Sequence, residues 1–122
     1  ADITPLRDRY LGHIQACLAG YRELGRELLG REATHAILLH HNLLNAMVMP
    51  DLLAMLEREG WTVVSPEVGY KDPLYQEDRA DAGYAESILE AIARKRKVLP
   101  GRFEALKATL WEGQNAVGGY KP

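Results

Sequence analysis

Five side chains carry chemistry that solvation alone does not explain: His13, His35, His40, His41 and the only cysteine, Cys17. His35 and His41 are six residues apart, about 20 Å along an extended strand, so they cannot share one metal ion. His40 and His41 are neighbours. On a strand they face opposite ways, and a two-histidine site would need the strand to end between them. A metal site made by this chain alone is therefore not expected. His40 stands where the apolar run Ala36-Ile37-Leu38-Leu39 gives out. In parallel α/β folds the sites lie at the carboxyl ends of strands, where a histidine can act as general acid or base near neutral pH. Without that context a single histidine is structural or merely exposed. A lone cysteine allows neither an internal disulfide nor a multi-cysteine zinc site. Cys17 falls on the apolar stripe of a helix and is expected to be packed and unreactive.

The elements that must position these residues follow from periodicity. Thr4-Pro5 is an N-cap and first-turn pair, and Leu6, Tyr10, Ile14, Leu18, Tyr21, Leu24 and Leu28 recur at helical spacing up to Gly30. This predicts one long helix over residues 5–29. The run at residues 36–40 predicts a strand buried on both faces, and Trp61-Thr62-Val63-Val64 a second one. Between them a helix over residues 48–59 is predicted, with Pro50 in its first turn and Gly60 ending it. Strand, helix and strand with short connections give a parallel, right-handed βαβ unit. Residues 65–83 read as a surface loop, residues 84–97 as a helix, and Phe103, Leu106 and Leu110 as another beyond Pro100-Gly101, with a loose Gly-Gly tail. Two parallel strands leave open edges, so further strands must come from elsewhere in a larger barrel or from a second copy.

The chain has 122 residues, 47% hydrophobic and 26% charged, with a net charge of -2. One core is possible at that length, and no apolar run approaches the roughly 20 residues of a membrane span. The balance of charge gives no general attraction to nucleic acid. Arg94-Lys95-Arg96-Lys97 closes a predicted helix, where cations offset the helix dipole, and reads as a solvated helix end. Trp61, Tyr70, Tyr75, Tyr84 and Trp111 offer sugar-stacking faces but serve more often as core or loop anchors. The start, Ala1-Asp2-Ile3-Thr4-Pro5, has no charged-then-apolar leader and suits a processed protein or an excised fragment equally, which leaves the compartment open.

The stretch from Ala36 through His40-His41-Asn42-Leu43-Leu44-Asn45-Ala46, followed by Asp51-Leu52-Leu53-Ala54-Met55-Leu56 and Gly60-Trp61-Thr62-Val63-Val64-Ser65, resembles the C-terminal region of NodB-type polysaccharide deacetylases. The xylanase and chitin deacetylases, in the carbohydrate esterase family 4 group, are the nearest in pattern. Upstream, Tyr10-Leu11, His13, Tyr21 and Gly30-Arg31-Glu32 are similar to the family's preceding helix; downstream, Lys71-Asp72-Pro73-Leu74-Tyr75 resembles its Asp-Pro-x-Tyr loop. The likeness covers residues 6–76, and residues 77–122 form a predicted helical extension. It implies that residues 1–122 are one C-terminal portion of a distorted (β/α) barrel. It also implies a divalent metal, zinc by preference, held in the complete protein by an early Asp-Asp-Gly and a His-x-x-x-His, neither of which occurs here. The family's late Leu-x-His matches Leu38-Leu39-His40. In that family the leucine lines the acetyl-methyl pocket and the histidine protonates the departing amine, so the resemblance implies that His40 is catalytic and that Leu38, His41, Asn42 and Asn45 lie at the substrate pocket. Leu39-His40-His41 fits the same pattern; the longer His-x-Asn-x-x-Asn match favours His40.

Two functions of different classes follow. In the first, the chain supplies the proton donor to a metal-dependent hydrolase that removes acetyl groups, on nitrogen or oxygen, from a glycan, and is inactive alone. In the second it is a non-catalytic module that binds glycan or associates with itself. The expected partners are a polysaccharide and either the missing barrel half or a second copy.

Overall fold

The computed structural model describes residues 2–76, 86–98, 101 and 104–105. Helix α1 spans Thr4–Leu29, α2 Leu43–Arg58, α3 Pro66–Gly69 and α4 Ile88–Lys95, with a 3-10 turn at Pro73–Gln76. The N-cap of α1 is Ile3 and not Thr4; the Thr4 amide donates to the Asp2 carboxylate at 2.9 Å, so Asp2 supplies the acceptor that Ile3 lacks. The helix ends as predicted on Gly30, whose φ of 67° is left-handed and whose amide donates to the Arg26 carbonyl. Arg96 then donates to the Leu28 carbonyl at 2.8 Å, so one residue of the basic run closes the last turn of α1.

The expected βαβ unit is not formed: among the described residues there is no strand. Residues 32–41 and 61–65, which flank α2 as the predicted strands should, are irregular. The barrel-fragment reading, with its open parallel edges, is corrected accordingly to a helical assembly. The reason is lack of cover. Leu38 is 90% exposed and Val63 67%, with Ile37 and Val64 also open to solvent. A parallel strand needs layers on both faces and neighbours on its edges before its apolar run is buried, and leucines add little intrinsic strand preference.

Helix α2 begins earlier than predicted, because Asn42 caps it, its side chain accepting from the Asn45 amide at 2.9 Å. Pro50 therefore lies inside the helix and not in its first turn. It costs the helix one hydrogen bond. The other end is a Schellman stop: Gly60, at φ 81°, donates to Glu57, and Trp61 donates back to Leu56 at 2.8 Å.

Helix α1 is the spine. At its middle Ile14 and Leu18 pack with Leu52, Met55 and Leu56 of α2, and Trp61 closes that cluster. Towards its end Leu24 packs with Leu74 of the 3-10 turn and with Leu89, Ile92 and Ala93 of α4. The segment predicted as a loop thus carries α3 and the 3-10 turn. Tyr84, Phe103, Leu106, Leu110, Trp111 and the tail lie outside the described residues.

Candidate functional site

The irregular segment between α1 and α2 is held at both ends by side chains distant in sequence. At its start, Asp72 accepts from Arg31 through both oxygens (2.7 and 3.0 Å), from the Thr34 amide (2.8 Å) and from the Leu74 amide (2.8 Å). The Asp72 side chain is only 7% exposed. The Arg31 guanidinium and the two amides hold its carboxyl far below the usual carboxylate range. Tyr75 adds a hydrogen bond from its hydroxyl to the Thr34 carbonyl at 2.7 Å. At the far end Asn45 donates to the His40 carbonyl and accepts from the Tyr10 hydroxyl.

Between these anchors His40 is exposed on the rim of a groove of about 940 Å³, bounded by α1, the segment itself and the start of α4. Leu38 and Asn42 reach the same groove; both are exposed, and Asn42 is occupied as the α2 cap. His41 is exposed beside them. Asn45 is 8% exposed, and both ends of its amide are engaged within the chain.

Helix α1 contributes a row of four polar side chains, of which Tyr10, Cys17 and Tyr21 fall on the apolar stripe of the sequence. Tyr10, His13, Cys17 and Tyr21 all face the groove. Their spacing of three, four and four was the available signal, since it puts four polar handles on one helix face. His13 Nε2 lies 3.8 Å from Cys17 Sγ, and burial pushes the Cys17 thiol above its ordinary value. The Tyr21 hydroxyl donates to Glu90 at 2.6 Å, and burial with that carboxylate beside it raises its pKa.

His35 sits deeper, edge-on to Trp61 at 5.6 Å, while the Arg22 guanidinium stacks over the same indole at 3.7 Å. Its Nε2 is buried with no hydrogen-bond partner among the described residues. Burial first, and Arg22 second, hold its pKa below the ordinary 6.5. The folded chain therefore favours neutral His35, and the unfolded chain binds the proton first. Stability contributed here is whole above 6.5 and is lost as pH falls from 6.5 through the lowered folded value. Urea melts at pH 7 and pH 5 are expected to show a loss that His35→Phe reduces; equal losses in both proteins would rule out His35 as its source.

Among the described residues no three His, Cys, Asp or Glu side chains are grouped to hold a metal ion. The described residues do not fit the metal that the resemblance implies. No helix among them is long and apolar enough to cross a membrane. Comparison with known family models, curated proteins and solved structures finds no match to this chain.

Proposed function

We propose that this chain contributes His40 as the general acid in deacetylation of an acetylated polysaccharide. What supports the reading is that the residues carrying the resemblance are the ones that frame the His40 segment. Arg31 of Gly-Arg-Glu meets Asp72 of Asp-Pro-x-Tyr, Tyr75 of the same motif meets Thr34, and Asn45 meets His40. An exposed imidazole on an anchored loop, at the rim of a groove of small-molecule size, can deliver a proton to a departing amine or alkoxide. The remaining chemistry, including any divalent metal, belongs to groups outside these residues. The 122 residues alone are expected to release no acetate from acetylated chito- or xylo-oligosaccharides, and release is expected only where other groups supply the metal-dependent half of the chemistry. Robust release by the 122 residues alone would end the claim that they supply the proton donor only.

A second reading, a self-associating or glycan-binding module, is favoured by one observation. Ile37, Leu53, Val63, Val64 and Tyr70 are exposed and line a second groove of about 870 Å³. Exposed apolar clusters of this kind mark interaction surfaces. Light scattering across a concentration series is expected to show the apparent mass of the chain rising, and Val63→Lys to suppress that rise. A concentration-independent monomer counts against association.

A further inference from the structure

We infer that Tyr10 and Asn45 form a latch that sets the position of His40, making both of them positioning residues for the proton-transfer step. The inference rests on the His40 reading above and assigns Asn45 a part other than substrate contact. Asn45 is the third residue of α2, and side chains on a helix tilt towards its N-terminus. That tilt lets Asn45 reach back past the Asn42 cap to the His40 carbonyl. The cap itself does not need this bond, since the Asn42 side chain already accepts from the Asn45 backbone amide. The Asn45 side chain is thus free for a different task, and a buried amide must have its hydrogen-bonding groups satisfied. Its oxygen finds the Tyr10 hydroxyl, 35 residues away on α1. The chain Tyr10 hydroxyl to Asn45 oxygen, and Asn45 nitrogen to His40 carbonyl, couples the α1 surface to the backbone that carries the imidazole.

The two hydrogen bonds can be cut separately. Tyr10→Phe keeps the ring and removes the donor. Asn45→Asp keeps the acceptor for Tyr10 but sets an oxygen against the His40 carbonyl. The peptide nitrogen of His41 reports hydrogen bonding at that carbonyl. In NMR spectra both variants are expected to shift the His41 amide and to raise backbone mobility at residues 40–42, with the His35 amide unmoved. In the full-length protein kcat is expected to fall about tenfold at unchanged KM, within the roughly 10²-fold that misplacing a reacting group can cost. Unchanged resonances at residues 40–42 in both variants would overturn the latch. So would shifts spread evenly along α1 and α2 with kcat unchanged, which is the pattern of a purely structural contact. His40→Ala separates this outcome from failure of the reading beneath it. A responsive latch with fully active His40→Ala sinks the proton-donor assignment, and an unresponsive latch with inactive His40→Ala sinks only the latch.

Discussion

Asp72→Ala is expected to lower the unfolding free energy of the chain by about 3 kcal/mol, because the half-buried Thr34 and Leu74 amides both lose their acceptor, each at a cost of roughly 1–3 kcal/mol, while the exposed Arg31 adds little. For a domain of this size that is a drop in Tm of roughly 10–20 °C. Most ion pairs seen at protein surfaces contribute little. Asp72 differs because its side chain is 7% exposed and each oxygen accepts twice: Oδ1 from Arg31 and Leu74, Oδ2 from Arg31 and Thr34. Asp72→Asn is therefore no mild change, since an amide nitrogen in place of either oxygen would face two donors. The carboxyl is held ionised far below its ordinary 3.8, so its contribution is whole above 3.8 and disappears only as pH falls through the lowered folded value. Acid should accordingly destabilise the chain in two stages, His35 first and Asp72 later. Denaturation curves at pH 7, 5 and 3 test this. An Asp72→Ala protein within about 0.5 kcal/mol of the parent at pH 7, the usual spread for neutral surface changes, would show that the four contacts add nothing.

What could be read from the sequence was local. Gly30 and Gly60 end their helices because a left-handed residue is a requirement of the stop itself, independent of distant partners. The long first helix was legible for the same reason, as its apolar stripe lies within one segment. The segment at residues 36–40 was not legible. Its composition suits a buried strand, but burial is a property of neighbours, and among the described residues none covers Leu38. The hub at Asp72 was visible only as an Asp-Pro loop motif. Its partners Arg31 and Thr34 lie 41 and 38 residues earlier, and nothing in local spacing connects them. Tyr10 was likewise read as one more apolar-face residue, because its bond to Asn45 joins two helices whose mutual packing no single periodicity encodes. The histidines show the same limit. Their spacing argued against a shared metal site, whereas their individual settings, His35 half-buried against Trp61 and His40 open to the groove, depended on the tertiary fold.

If the proposed function holds, His40→Ala in an active protein that contains this chain is expected to lower kcat for an N-acetylated glycan by about 10² to 10⁴-fold, the usual contribution of a positioned general acid. Collapse of the tetrahedral intermediate breaks the carbon–nitrogen bond, and the nitrogen must gain a proton as it leaves, because an amide anion is far too basic to depart unaided. An O-acetyl substrate makes a weaker demand, since an alkoxide leaves more readily. The same substitution should thus cost the ester reaction less than the amide reaction. KM should hardly move, as an exposed imidazole on the groove rim contributes to the transition state and not to uniform binding. Metal content should also be unchanged, because the described residues place no ligand cluster around His40. His41→Ala is the neighbouring comparison: it removes an imidazole that is not among the residues lining the groove, and should cost both reactions less than His40→Ala does. Acetate release measured on paired N- and O-acetylated oligosaccharides, with metal analysis alongside, distinguishes these outcomes. Full activity in His40→Ala would remove the proton donor from the proposal. An equal loss on amide and ester would reassign His40 to binding or structure, and a loss confined to His41→Ala would move the general acid one residue along the chain.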